Sequence, residues 1–228
     1  HLMSDFGNTI KEMRKEFPGT VPIKAVFLGN DRKHIARFTG TFLNKAVTGL
    51  ERDKPDLLLV MGDRPEMLCT AIAGLYMGIP VAHIHGGERT ATVDELARHA
   101  ITKIVHLHFP ATKESGERIR KMGEENWRIK IVGAPAADTI LKEKLPTRTE
   151  LFQFIKLSPS ERIALITFHP SSEDWQLAGR QMAEIMAALK ILDMNTVVIY
   201  PNTDAGSHFI IKEIGKEKHN PKFRIYKN

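Results

Sequence analysis

Apolar residues along this chain follow two alternating spacings, and the alternation predicts an α/β protein. Short apolar runs are typical of buried parallel strands, whereas apolar residues repeated every three or four positions are typical of amphipathic helices. We predict strands at residues 22–28, 57–61, 81–84, 107–111, 128–132, 163–167, 196–200 and 223–226. Helices are predicted at residues 10–17, 35–50, 67–77, 94–106, 112–123, 138–144, 148–156, 178–192 and 208–217.

Burial and domain organisation follow from the same pattern. The strand at residues 57–61 is expected to be fully buried and the strand at 163–167 buried, because both are nearly continuous apolar runs. The helix at 178–192 is expected to bury Ile191, at least in part, together with Met182, Ile185, Met186 and Leu189. A proline stop followed by a polar start at residues 145–147 predicts a domain boundary there.

Polar residues follow two neighbouring strands of the central segment. Asp63 and Arg64 come after the strand at 57–61, and His85 and Glu88 come after the strand at 81–84. Ligands of open α/β sheets bind at the carboxyl ends of parallel strands. We therefore predict a site here, although each feature alone fits a helix cap or a simple turn equally well.

Composition and charge narrow the class of protein. The 228 residues are 42% hydrophobic and 26% charged, which is ordinary for a globular protein. The net charge of +6 is scattered rather than clustered, so it favours an anionic small molecule over a nucleic acid. The single cysteine, Cys69, fits a reducing cytoplasm, and we expect no membrane contact because no apolar run approaches the ~20 residues of a membrane span.

Five blocks, in order along the chain, resemble the UDP-N-acetylglucosamine 2-epimerase family. They are residues 1–9, 62–64, 83–88, 94–103, and 167–170 together with 201–207. The chain is most similar to the hydrolysing branch, which makes N-acetylmannosamine for sialic-acid synthesis. Non-hydrolysing members typically have Thr in place of Arg64, Glu-Ala-Gly in place of residues 85–87, and His-Arg-Arg-Glu-Asn in place of residues 169–170. This sequence has none of these three.

The resemblance implies an α/β fold of two Rossmann-like domains facing across a cleft, as in GT-B glycosyltransferases. Residues 1–145 would form the N-terminal domain and residues 146–228 the first half of the C-terminal, nucleotide-binding domain. By that measure we expect both domains to be incomplete in this chain. The resemblance also implies UDP-N-acetylglucosamine as ligand and a homodimer. We expect no cofactor, and no metal because no His, Asp and Cys residues have metal-ligand spacing.

The resemblance further implies a mechanism and roles for particular residues. In the family reaction UDP leaves C1 while a base removes the C2 proton, and water then adds to the glycal intermediate with inversion at C2. This chemistry needs a base, an acid and a cation-rich phosphate clamp. The catalytic residues implied are Asp63, His85, Asp94, Glu95 and His169. The substrate-binding residues implied are Arg64, Glu88, Arg98, His99, Asn202 and Ser207.

Two positions in this assignment stay open. Many relatives have Glu where this chain has His85, which weakens the assignment of the base to that position, although histidine shuttles protons near neutral pH. Asp94 and Glu95 are not separated by the resemblance, and both also fit acids that stabilise the dipole at a helix start.

Three alternatives to the hydrolysing epimerase remain. One is a related hydrolysing epimerase that acts on a GDP- or UDP-linked diacetamido sugar. Another is a GT-B glycosyltransferase, which would not need the proton-transfer groups at Asp63, Asp94 and Glu95. The third is a non-catalytic fragment that binds nucleotide sugars.

Overall fold

The structure, a computed structural model, describes residues 2, 8–25, 29, 31–90, 92–171 and 173–227. Its helices are α1 (Ile10–Glu16), α2 (Arg32–Asp53), α3 (Pro65–Met77), α4 (Val93–Ile104), α5 (Lys113–Lys121), α6 (Pro135–Lys142), α7 (Arg148–Phe154), α8 (Ala178–Ile191) and α9 (Ser207–Gly215). Its strands are β1 (Leu58–Met61), β2 (Val81–Ile84), β3 (Leu107–Phe109), β4 (Ile163–Thr167), β5 (Asn195–Ile199) and β6 (Phe223–Tyr226). None of the helices among these residues combines the length and apolarity that a membrane crossing requires.

Contacts between residues divide the chain into two compact units. The Asp63 unit comprises Ile23–Phe27 and Ile35–Lys144, and the His169 unit comprises His1–Pro22, Leu28–His34 and Leu145–Asn228. The chain changes unit at Leu145, beside the predicted boundary, but the residues before Ile35 are divided between both units. The assignment of residues 1–145 and 146–228 to two domains stays a prediction.

The Asp63 unit is built on a parallel sheet in the order β1-β2-β3. Its core lies on the face that carries Leu58 and Val60, where α3 and α4 contribute Ala71 and Ile101. Helix α3 packs closely on the sheet because Gly74 has no Cβ, which would lie 2.6 Å from Val81 Cγ2. The helix ends at a glycine, residue 78, in the left-handed conformation (φ 70°), so the chain turns directly into β2.

A second apolar cluster joins α2 to α3 around the single cysteine. Phe38, Phe42 and Ala46 of α2 pack against Cys69 of α3. The Cys69 Sγ atom donates to the Thr39 carbonyl oxygen at 3.2 Å. Burial, helped by the nearby Glu66 carboxylate, raises the pKa of the Cys69 thiol.

The His169 unit contains a parallel sheet in the order β4-β5-β6. Helices α8 and α9 cover one face, where Met182 and Met186 pack with Val198, Ile210 and Phe223. Before this sheet, α7 begins with a capping box in which Thr147 and Glu150 each bind the other's backbone. The start of α7 is therefore specified by local sequence.

Several predictions of burial and strand position are wrong. Strand β1 is not fully buried, because Leu59 and Met61 are 61% and 56% exposed. Successive strand residues point to opposite faces, and α3 and α4 cover only the face of Leu58 and Val60. Leu165 of β4 is exposed in the same way, and Ile191 is 85% exposed because it lies past the buried stripe of α8.

Two predicted strands are not regular strands. Residues 126–128 form a 3-10 turn, and the segment predicted at 128–132 makes an isolated bridge between Ile129 and His108 of β3 instead of a regular strand. It continues beside β3, since the Lys130 and Val132 N–H groups donate to the carbonyls of His108 and Pro110. In the strand predicted at 22–28, residues 22–25 are irregular and residues 26–28 lie outside the described residues. The other helices and strands match their predictions to within a few residues.

Charged side chains surround the buried Glu124 carboxylate on the β3 side of the Asp63 unit. Glu124 accepts from Lys103 Nζ at 2.5 Å and Arg128 Nη1 at 2.9 Å, and its Oε2 lies 3.4 Å from His108 Nε2. Burial by itself would raise the pKa of the Glu124 carboxyl. The hydrogen bond and charge of Lys103 act in the opposite direction, as do the charges of His108 and Arg128. Together they outweigh burial, so the pKa of Glu124 is lowered. Burial lowers the pKa of His108 from 6.5 to about 4.

The low pKa of His108 predicts a loss of stability in acid. The unfolded chain protonates His108 near pH 6.5, whereas the folded chain does so only near pH 4. Within this window the unfolded state binds more protons, so the free energy of unfolding falls as the pH falls. We expect the urea midpoint to drop between about pH 7 and about pH 4.5, and to drop less in His108→Leu. Parallel curves for parent and variant would contradict the prediction.

Candidate functional site

The carboxyl ends of β1 and β2 meet at one edge of the sheet in the Asp63 unit. Gly62 N donates to the Ile84 carbonyl at 2.9 Å, which brings the turn after β1 beside the turn after β2. Gly62 and His85, the first residues past the two strands, both have positive φ angles, 77° and 64°. The chain therefore turns sharply at both strand ends and presents Asp63 and Glu88 at the same edge.

A buried arginine of α4 joins the two turns. The Arg98 side chain is 4% exposed, and its Nη2 donates to the Asp63 carboxylate while its Nη1 donates to the Glu88 carbonyl at 2.7 Å. The Asp63 side chain is 23% exposed, so its carboxylate still reaches solvent. A single guanidinium thus holds Asp63 in place and ties it to the loop that carries His85 and Glu88.

His85 and Glu88 form an imidazole–carboxylate pair. The His85 Nδ1 atom lies 2.8 Å from Glu88 Oε1, and both side chains are half-buried. An ionised carboxylate only accepts hydrogen bonds, so Nδ1 is the donor and Nε2 keeps its lone pair. The neutral His85 ring in this arrangement presents an Nε2 lone pair on the side away from Glu88.

The loop between these two residues is clamped by α5. Gly87 has φ 80°, and a Cβ there would overlap the Ser115 carbonyl oxygen of α5. Arg118 of α5 donates through Nη1 to the Gly87 carbonyl. Sequence reasoning missed Arg118, because a single arginine in a charged helix carries no signal of its partner.

The other predicted residues of this unit lie around the start of α4 and α3. Glu95 Oε2 accepts from Thr90 N at 2.7 Å, and Asp94 Oδ2 lies 3.4 Å from Thr92 Oγ1. Asp94 and Glu95 precede Arg98 and His99 by one helical turn each, which puts each pair on one face of α4. The buried His99 Nε2 has no hydrogen-bond partner among the described residues. Arg64 Nε lies 3.4 Å from Glu66 Oε2 at the start of α3.

The remaining predicted residues lie in the His169 unit, where β4 and β5 end. The exposed His169 has Nδ1 3.3 Å from Asn202 Oδ1, and its Nε2 lies 3.4 Å from Thr167 Oγ1. Ser207 begins α9 directly after Gly206, whose positive φ of 89° fits a backbone pressed against Trp175. The Ser207 hydroxyl is buried without a partner among the described residues. The structure thus groups His169 with Asn202 at neighbouring strand ends.

Two parallel sheets covered by helices, with sharp turns at the strand ends, define a Rossmann-like protein of the α/β class. A family model described as UDP-N-acetylglucosamine 2-epimerase matches residues 1–228. The chain belongs to this UDP-N-acetylglucosamine 2-epimerase family, as its sequence blocks predict.

Individual relatives support the same grouping. The chain is 36% identical over its whole length to a Legionella pneumophila protein named UDP-N,N'-diacetylbacillosamine 2-epimerase (hydrolyzing), and covers 61% of it. It is 32% identical over 95% of its length to a Neisseria meningitidis UDP-N-acetylglucosamine 2-epimerase, and covers 56% of that protein. The chain therefore spans about three fifths of these relatives.

The fold is that of a solved family member. The Methanocaldococcus jannaschii UDP-GlcNAc 2-epimerase, solved in complex with UDP-GlcNAc and UDP, superposes with a TM-score of 0.72 at 20% sequence identity. The match covers 95% of this chain and 61% of that one. It confirms the predicted fold class, α/β with Rossmann-like units of the GT-B type.

The hydrogen bonds of Arg98 predict that removing its guanidinium lowers the free energy of unfolding. In Arg98→Met the Asp63 carboxylate and the Glu88 carbonyl both lose a donor that is otherwise shielded from water. We expect the free energy of unfolding to fall by roughly 3 kcal/mol, the lower end for a broken buried pair because Asp63 reaches solvent. Urea denaturation measures it. Arg120→Met, which removes an exposed pair with Glu117, is the matched control and should change stability by less than about 1 kcal/mol. Equal effects of the two variants would contradict the interpretation.

Proposed function

We propose that the protein containing this chain is a hydrolysing UDP-N-acetylglucosamine 2-epimerase, which converts UDP-GlcNAc and water into N-acetylmannosamine and UDP. The observation that carries the proposal is the Arg98 guanidinium, which joins the Asp63 carboxylate to the loop bearing His85 and Glu88. Asp63 and His85, the two side chains that we propose as proton-transfer groups, follow neighbouring strands. Family membership supplies the substrate class.

The reaction needs two such groups because the C2 proton leaves one face of the sugar and returns to the other. In the first half, a base takes the C2 proton, the C2–H electron pair forms the C1=C2 double bond, and the C1–O bond breaks with its electrons leaving on UDP. In the second half, a water hydroxyl bonds to C1 and a proton is delivered to C2 on the opposite face. Asp63 and His85 are the groups we assign to these transfers, with Glu88 balancing the charge of His85.

Asp94 and Glu95 complete the proposed proton-transfer set at the start of α4. Their side chains bind the segment that leads into the helix, at Thr92 and Thr90. Arg98 and His99 follow one turn later on the same helix. We place the sugar next to this helix start, with Arg98 holding Asp63 and His99 available to the substrate.

The diphosphate and the nucleotide of the proposed substrate need hydrogen-bond donors from the protein. Arg64 has the planar fork that binds phosphate oxygens in pairs. His169 and Asn202, adjacent at the ends of β4 and β5, are the proposed donors of the His169 unit. Ser207 adds a hydroxyl that has no partner in the described part of the chain. Donors of this kind stabilise the charge that develops on UDP as it leaves.

A second substrate is favoured by one observation. The Legionella pneumophila relative, 36% identical over the whole chain, is named for UDP-N,N'-diacetylbacillosamine, a sugar with a second acetamido group. The same elimination and addition would apply, because the chemistry involves only C1 and C2. We propose this sugar, in UDP- or GDP-linked form, as the alternative substrate.

The deciding experiment compares these substrates on the full-length protein. UDP or GDP release is followed with a coupled assay while NMR identifies the sugar product. A free C2-inverted sugar from one substrate, at higher kcat/KM than from the others, establishes the activity and its specificity. A C2-inverted sugar still joined to nucleotide would indicate a non-hydrolysing epimerase, and sugar transfer to an acceptor would indicate a glycosyltransferase.

Location and assembly complete the proposal. The lone cysteine favours the cytoplasm, where thiols stay reduced. A homodimer of the full-length protein is our proposed assembly, on the family resemblance alone.

Asp63→Asn tests the assignment of the carboxylate. The amide cannot exchange the C2 proton but keeps the size and an acceptor for Arg98. We expect turnover to fall ~10²–10⁴-fold, the usual contribution of one acid–base group, while nucleotide affinity changes by less than about tenfold. Coupled UDP-release kinetics and calorimetry measure the two quantities. Asp138→Asn, at an exposed pair with Lys142, is the control. Turnover above about a tenth of the parent rate would remove Asp63 from the catalytic set.

His169→Ala tests the proposed role of His169 in nucleotide binding. If His169 donates to the leaving diphosphate, its loss should weaken UDP binding by ~1.5–3 kcal/mol and lower turnover together. Calorimetric titration with UDP gives the affinity. His219→Ala, which removes an exposed histidine, should leave both quantities unchanged. Unchanged affinity and turnover in His169→Ala would make His169 a strand-end residue without a role in binding.

A further inference from the structure

His83 is a fully buried histidine in the middle strand of the Asp63 unit. It lies on β2 between Val60 of β1 and His108 of β3, which are its register partners and are buried as well. The apolar core occupies this face nearer the start of the strands. His83 is thus a buried polar side chain between the apolar core and the carboxyl ends of the strands.

One ring nitrogen of His83 reaches across to the end of β1. Its Nε2 lies 2.7 Å from the Gly62 carbonyl oxygen. A carbonyl only accepts, so Nε2 carries the hydrogen and Nδ1 holds a lone pair. The Gly62 carbonyl belongs to the peptide group that continues into Asp63. The bond therefore fixes the orientation of the peptide plane from which Asp63 projects.

The other ring nitrogen faces a glycine of the next turn. Nδ1 has no hydrogen-bond partner among the described residues, and a Cβ on Gly86 would lie 3.0 Å from it. Burial lowers the pKa of His83, although the bond to the Gly62 carbonyl opposes this effect. Burial therefore favours the neutral ring, in which Nε2 donates to the Gly62 carbonyl.

Gly62 needs such an anchor. Its φ of 77° lies in the left-handed region that glycine enters freely, and glycine also leaves it freely because it has no side chain to restrict it. Its N–H is held by the Ile84 carbonyl and its C=O by His83. Without the His83 bond, only one side of this residue would be held.

We propose that His83 is a positioning residue of this site: its Nε2–H locks the Gly62 carbonyl and so directs the Asp63 carboxylate toward Arg98 and the substrate. The inference rests on the proposed function, in which Asp63 transfers a proton. His83 itself does not touch the reacting atoms.

Three variants of the full-length protein test the kinetic consequence. His83→Leu removes the donor, whereas His83→Gln puts an amide N–H near the position of Nε2. We expect kcat to fall by on the order of tenfold to a hundredfold in His83→Leu with KM changed less than about threefold, since displacement of a reacting group by about 1 Å has costs of this order. His83→Gln should restore kcat to within about fivefold of the parent.

His108→Leu is the matched control, because it removes a buried imidazole from the same row, one strand away, that has no bond to a strand end in the described residues. Its kcat should stay within about threefold of the parent. Equal losses in His83→Leu, His83→Gln and His108→Leu, tracking their melting temperatures, would mean that His83 is only structural and would overturn the proposal.

A measurement that needs no turnover separates this inference from the proposed function. Long-range ¹H–¹⁵N NMR should show His83 as the Nε2–H tautomer. The Asp63 carboxyl ¹³C resonance, assigned by its loss in Asp63→Asn, should shift in His83→Leu and not in His83→Gln. An Nδ1–H tautomer would refute the positioning role. An Asp63 carboxyl resonance with the same chemical shift in the parent and in both His83 variants would refute it as well. If the parent protein converts no nucleotide sugar, the proposed function fails while these spectra still decide the role of His83.

Discussion

Burying the guanidinium of Arg98 beneath two strand ends imposes a requirement on everything around it. A buried cation is costly unless its hydrogen bonds are satisfied and its charge is balanced. Asp63 supplies the negative charge and the Glu88 carbonyl supplies a second acceptor. The carboxylate of the candidate site is therefore also part of what allows α4 to pack against the sheet, so folding and the geometry of the site depend on the same bonds.

The loop that carries His85 and Glu88 is held by contacts from two helices, α4 and α5. Arg98 binds one of its carbonyls, Arg118 binds another, and Gly87 lies directly on α5. His85 itself adopts a left-handed backbone, which costs a non-glycine residue of the order of 1 kcal/mol and persists only where surrounding contacts impose it. The strain falls on the residue whose imidazole faces Glu88, so the surrounding contacts fix the orientation of this pair.

Much of the fold was predictable from the sequence, because hydrophobic spacing and chain-breaking residues act locally. Pro65 and Gly78 bound α3, and the strand-end rule brought Asp63 and Glu88 to one edge. Periodicity alone could not tell a strand covered on two faces from one covered on a single face, so the exposure of Leu59 was missed. The 3-10 turn at residues 126–128 likewise depends on the bonds that Arg128 makes to Glu124 and to the carbonyl of His106.

The contacts that organise the site were less accessible to sequence reasoning. The substrate-binding role of Arg98 stays a prediction. The structure adds a bond from Arg98 to Asp63, which is 35 positions away along the chain. Its role depends on which face α4 turns toward the sheet. His83 and Arg118 went unassigned for the same reason, since neither carries a local signal of the carbonyl it meets. Family resemblance named segments that meet at strand ends in the structure, but not the bonds between them.

The burial of Cys69 has a practical consequence for spectroscopy. Its sulfur lies inside the α2–α3 cluster, bonded to a backbone carbonyl, and its raised pKa keeps it in the thiol form, which reacts poorly with electrophiles. It is also the chain's single cysteine. A cysteine introduced at an exposed position would therefore be the one thiol in these 228 residues that takes up a maleimide fluorophore or spin label under native conditions, without a prior substitution that would open a cavity beside Phe38 and Phe42.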